Sequence, residues 1–156
     1  MGGRIRFALE RWDSPRHSSH VAQLFTLGHI SRAMYYEPGA EGLKDTTMGR
    51  FALKFAHRLV AREYAEAHSM LSSSLRSALT PADLERKLEA MIASGDGWPD
   101  LVEATTGDED WPAKEPHDLG WVYVSICGDG FVEAVTVTIA LENDTEVIRS
   151  IEWGRP

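Results

Sequence analysis

Few residues in this chain could do chemistry, and Glu133 is the first of them. It interrupts a row of aliphatic residues, and a carboxylate held among them is desolvated, with its pKa raised toward the range of a general base. The same carboxylate could instead hold a ligand cation. A position beside a tight turn would simply let it reach water. Glu63 and Tyr64 place a second carboxylate and a phenol on a helix, where Glu63 could equally pair with an arginine or cap backbone. His17 and His20 have helical ligand spacing, yet no third ligand accompanies them, so no metal is expected. His57 and His68 fall about three turns apart on one side of a helix, where packing or surface hydrogen bonding accounts for them. Cys127, the single cysteine, lies in a strand without a basic neighbour to lower its pKa, and reads as inert. The sequence has no Ser–His–Asp arrangement, Cys-x-x-Cys pair, phosphate-cradling glycine loop or dinucleotide fingerprint. No catalytic residue is therefore assigned beyond the weak candidate Glu133, and no cofactor is expected.

The elements that must position Glu133 are three consecutive strands from Trp121 to Trp153. β-Branched and aromatic residues fill the runs, and Gly128-Asp129-Gly130 and Asn143-Asp144-Thr145 fill the gaps. A two-residue type I′ turn at Asp129-Gly130 pairs Gly128 with Phe131. One face then carries Val122, Val124, Ile126, Val135, Val137, Ile139 and Leu141, with Glu133 as its only charge. The other carries Trp121, Tyr123, Ser125, Cys127, Val132, Ala134, Thr136 and Thr138. A slip of one residue would exchange the two faces. The last strand is contradictory, because Arg149 falls in the same row as Val147, Ile151 and Trp153 while Ile148 falls outside it.

Ahead of the strands lie helices. Thr46 or Thr47 can cap a long helix to about Leu71, whose inward positions include Ala52, Phe55, Leu59, Glu63, Ala67 and Leu71. Arg50, Lys54, Arg58 and Arg62 form a basic ladder on its other side, which reads as a solvated face. Ser72 to Ser77 is a break or one further turn. Thr80, Pro81 and Asp83 open a new helix that ends at Ser94-Gly95. Asp100 to Thr106 is expected as the first strand, followed by an exposed acidic loop, Gly107 to Asp118. Residues 1–47 form an N-terminal arm or additional helices, with a helix from His20 to Tyr36 and a loop from Glu37 to Gly42. Residues 48–156 form the main domain.

At 156 residues the chain can bury roughly two-thirds of its unfolded surface in a single core. No apolar run approaches the about 20 residues that span a bilayer, and the absence of disulfide pairing suits a cytoplasmic location. The charge is divided. Residues 1–94 hold 13 Lys and Arg against 10 Asp and Glu, a net +3, whereas residues 95–156 hold 3 against 14, a net −11. Such a surface repels phosphate backbones, so nucleic acid is not an expected partner; a solvated acidic surface or a docking face for a basic protein is.

Phe55, Leu59, Ala61-Arg62-Glu63-Tyr64, Ala67, Met70-Leu71 and Leu79-Thr80-Pro81, with Val147-Ile148 and Ile151-Glu152-Trp153 at the end of the sheet, carry a likeness. Over about residues 49–153 this pattern resembles the nuclear transport factor two-like superfamily. Its first helix carries a Gly-Asp-Tyr motif, and here Arg62-Glu63 stands in place of Gly-Asp. The resemblance implies an α+β fold in which N-terminal helices pack on a curved antiparallel sheet, the cystatin-like cone. Ligand-pocket candidates are then Phe55, Leu59, Glu63, Tyr64, Val124, Glu133, Val135 and Val137. Homodimer-interface candidates are Trp121, Tyr123, Val132, Ala134, Thr136 and Thr138. Three functions follow as expectations. The first is a non-catalytic interaction module, immunity-type, meeting a basic partner. The second is an isomerase, dehydratase or cyclase with Glu133 as base, and the third is a carrier of a small apolar ligand.

Overall fold

The computed structural model describes residues 40–155, which hold five helices and four strands: α1 (Ala40–Leu43), α2 (Thr47–Val60), α3 (Tyr64–Ser69), α4 (Ser73–Ala78), α5 (Pro81–Ile92), β1 (Leu101–Asp108), β2 (Asp118–Gly128), β3 (Phe131–Glu142) and β4 (Thr145–Trp153). The strands form one antiparallel sheet in the order β1-β2-β3-β4, and the helices pack on one face of it, as expected for an α+β cone. The expectations for residues 1–39, His17 and His20 included, lie outside the described residues. Ala40–Leu43 is a short helix where a loop was expected.

Local sequence explains each helix boundary. Thr46 is the N-cap of α2 and its hydroxyl accepts the Gly49 N–H at 2.9 Å. A Cβ at Gly49 would collide with the Leu43 carbonyl, so glycine is what lets α1 fold back onto α2. Met48, Ala52, Phe55, Ala56 and Leu59 recur at three and four and are buried against the sheet. Thr80 and Asp83 form a reciprocal capping box at the start of α5, with Pro81 in the first turn. The hydrogen bonds from Thr80 hold the Asp83 carboxyl below its ordinary pKa.

The single long helix expected from Thr46 to Leu71 is broken at Arg62. That residue has φ +62°, its N–H donates to the Leu59 carbonyl at 3.0 Å, and the Glu63 N–H donates to the Arg58 carbonyl at 2.8 Å. This double return is the Schellman termination, which glycine normally provides because a Cβ is strained at positive φ. Arginine is tolerated because its guanidinium lies 4.0 Å from the centroid of the Trp98 ring. The Trp98 indole also donates to the Val60 carbonyl at 2.6 Å, satisfying an otherwise orphaned acceptor.

The β2–β3 register is the expected one, with Val122 opposite Val137, Val124 opposite Val135 and Gly128 opposite Phe131. The turn type is not. Gly130 has φ +77° but Asp129 is not in the left-handed region; the positive pair of a type I′ turn occurs instead at Asn143 and Asp144, with φ of 51° and 60°. β4 therefore begins at Thr145, and β2 begins at Asp118, within the expected loop.

Three bulges bend the sheet, at Thr105 in β1, Leu119 in β2 and Arg149 in β4. The last one resolves the contradiction in the β4 sequence. Ser150 lies opposite Thr138 while Ile148 lies opposite Ile139, so Arg149 is the extra residue and side-chain parity reverses across it. Ile148 turns into the core and is fully buried, and Ile151 packs against that core from the far side of the bulge.

Replacing Arg62 tests the helix break. Arg62→Gly and Arg62→Ala both lose the Trp98 contact, but only alanine keeps a Cβ at positive φ. The glycine variant is expected to be the more stable by about 1 kcal/mol in denaturant unfolding. Equal stabilities would contradict a left-handed residue here.

Candidate functional site

The pocket candidates from the sequence divide into three places. Phe55, Leu59, Val124, Val135 and Val137 are each 0% exposed and belong to one continuous cluster. They occupy the volume between α2 and the sheet. Glu63 lies at the helix break, half-buried, in an ion pair with Arg58. Glu63 was expected inward; the αL turn at Arg62 directs it along the helix surface. Tyr64 opens α3. Its hydroxyl is buried without a hydrogen-bond partner among the described residues, and burial, with the Glu85 carboxylate, pushes the phenol pKa up.

Glu133 faces the helical side, opposite Ile126, but at the rim. Its side chain is 14% exposed and lies 3.5 Å from the Arg155 guanidinium. It lines an open cleft of about 330 Å³ with Lys87, Ala90, Met91, Trp153 and Gly154. Tyr64 is not part of that cleft. The arrangement therefore brings Glu133 to two cations and an indole, and does not assemble a carboxylate–phenol pair around an enclosed space. A general base needs a bound proton donor within hydrogen-bond reach.

The interface candidates share the reverse face, in the expected register: Trp121 opposite Thr138, Tyr123 opposite Thr136 and Cys127 opposite Val132. Val132 is 51% exposed, Trp121, Tyr123, Thr136 and Thr138 are half-buried, and Ala134 is buried. Burial raises the Tyr123 phenol pKa, against the pull of Arg155.

The basic ladder is largely consumed by local contacts. Arg50 donates to the Asp45 carbonyl, Arg58 pairs with Glu63 and Arg62 stacks on Trp98. His68 Nε2 lies 2.7 Å from the Leu79 carbonyl, so that nitrogen carries the proton and ties α3 to the end of α4. His57 is exposed on α2.

Sequence reasoning missed the strongest polar site. Asp118, with a fully buried side chain, accepts from Arg149 Nε at 2.6 Å and Nη2 at 2.7 Å, and from the Glu115 N–H at 2.8 Å. Arg149 Nη1 also reaches Glu115 at 2.8 Å. Hydrogen bonding to Asp118 raises the arginine pKa further. The signal was the misplacement of Arg149 and Ile148, which a bulge repairs.

Acidic residues gather elsewhere. Asp96, Asp100, Glu103, Asp108, Glu109 and Asp110 have no Lys or Arg between them in the chain, and none forms an ion pair among the described residues. Compared with family models, curated proteins and solved structures, the chain matches none. Among the described residues no helix is long and apolar enough to cross a membrane.

Two variant sets check these assignments. Arg149→Met strands a buried carboxylate and is expected to cost about 3 kcal/mol, whereas Arg149→Met with Asp118→Asn costs clearly less. Equal losses would show that the stranded Asp118 carboxylate carries no penalty. Tyr64→Phe removes an unsatisfied hydroxyl and is expected to stabilise by about 1 kcal/mol; a lowered Tm would mean that the hydroxyl has a partner.

Proposed function

We propose that this chain is a non-catalytic interaction module of the nuclear transport factor two-like superfamily, of immunity type, that docks a basic protein partner. The observation that carries the reading is the filled interior. Phe55, Leu59 and Val137, each 0% exposed, stand where an enzyme or carrier of this shape would keep its ligand. The helix-then-sheet layout supports the superfamily assignment, as does the left-handed residue at Arg62, the position of the glycine in the Gly-Asp-Tyr motif. Unpaired carboxylates from Asp96 to Asp110 support the basic partner, because like charges with no counterion destabilise the free protein and are relieved on docking. The reverse face, with Val132 outermost, is the surface we assign to self-association; superfamily members often pair through it.

The reading with an apolar ligand in the cone needs an interior that these side chains fill, and the reading with Glu133 as base has only the open cleft at the rim. A panel of steroid and fatty-acyl compounds is expected to leave Tm unchanged. A saturable rise of several degrees would overturn the module reading, since only a ligand bound to the folded state raises Tm. The charge swap Asp108→Lys, Glu109→Lys, Asp110→Lys is expected to weaken binding of a lysine-rich peptide and flatten its salt dependence. Unchanged affinity would remove this loop as the docking face.

A further inference from the structure

The two edges of the sheet are treated differently. On β4, the Ser72 N–H donates to the Ile148 carbonyl at 2.8 Å and the Ile148 N–H donates to the Met70 carbonyl at 2.9 Å, so the chain before α4 closes that edge. On β1, pairing among the described residues is with β2 alone. A strand edge left in this state presents a row of backbone donors and acceptors ready for another strand. Proteins blunt such edges with charge, most often lysine. Here the charge is entirely acidic.

The register shows where that charge falls. Glu103 lies opposite Ser125 and Asp108 opposite Trp121, so both stand on the reverse face of β1. Asp100 precedes the strand, its N–H donating to the Cys127 carbonyl at 2.9 Å, and Asp96 is tied to the β2–β3 turn through the Asp129 carbonyl at 3.1 Å. The bordering cations are held by local contacts beside these acidic residues. Arg62 lies over Trp98, and Lys114 donates to the Glu109 carbonyl at 2.6 Å. The Thr105 bulge divides the ladder into Leu101–Ala104, the longer regular stretch, and Thr106–Asp108.

We infer that β1 is a docking edge for an extended basic segment of a partner protein, which adds as a fifth strand along Leu101–Ala104. The inference rests on the interaction-module reading and names the surface and the partner's form. Backbone hydrogen bonds to β1 supply the affinity, and Lys or Arg at alternate positions meets Glu103 and the flanking aspartates. A second copy of this chain fits poorly, because two β1 edges would set carboxylates against carboxylates.

The test uses a labelled peptide of four alternating Lys-Val pairs, titrated by fluorescence anisotropy at low salt, beside the same peptide N-methylated at every second residue. Methylation keeps the charge and removes the backbone donors. It is expected to weaken binding at least about tenfold, as the loss of a few net hydrogen bonds implies. Glu103→Lys is expected to weaken it by about tenfold, while Asp144→Lys, in the β3–β4 turn, changes it less than about twofold. Amide exchange of Leu101–Ala104 should slow on binding. Equal affinity for the methylated peptide would overturn strand addition, as would an unaffected Glu103→Lys variant. If the Asp108–Asp110 charge swap still weakened binding in that case, the edge inference would fall and the module reading would stand. If no basic peptide bound the folded protein, both would fall. Self-association that the peptide competes away would assign the edge to a second copy and overturn the inference.

Discussion

The ion pair between Asp118 and Arg149 spans β3 and joins the two bulges that lie beside Ile139 and Ala140. A carboxylate with no exposed surface costs several kcal/mol to desolvate unless its lone pairs are matched, and here three N–H groups match them. The arginine can make those bonds only as the extra residue of its bulge. Removing the bulge would leave parity unbroken, turn Arg149 into the aliphatic core and put Ile148 on the opposite face. Neither outcome is tolerable, so the pair and the hydrophobic pattern select the same register.

The rest of the cone depends on that choice. With parity reversed at Arg149, Ile148 on one side of the bulge and Ile151 on the other both reach the core shared with Phe55 and Leu59. The bend that closes the sheet over α2 thus also supplies side chains that fill the space beneath it. Polar groups are left for the rim, the helix break and the outer edge. Glu133 sits at the rim because it lies near the start of β3, two residues after Phe131 and next to the β2–β3 turn. The concavity is filled by packing, and the carboxylates beside β1 form no ion pair among the described residues.

Much of this was legible. Alternation across Trp121 to Glu142, with Asp129-Gly130 between the strands, determined the pairing and both faces, since one buried face permits a single register. The capping box at Thr80 and Asp83 was legible for a similar reason, as side-chain caps are local chemistry. The break at Arg62 was not, because arginine carries no left-handed preference and the stabilising ring, Trp98, is remote in sequence. Bulges likewise leave no local mark beyond a residue in the wrong row, which Arg149 was. Of the candidate site, residue identities read as inward were mostly inward. Whether inward meant lining or filling depends on volumes that periodicity does not encode.

That filled interior is the claim on which the functional account turns, and methyl NMR under xenon pressure tests it most directly. Dry apolar cavities bind xenon saturably, whereas close-packed cores do not. The methyl resonances of Val124, Val135, Val137 and Leu59 are expected to show only small, linear, non-saturating changes. Saturable shifts centred on these residues would reveal an open cone and contradict the account.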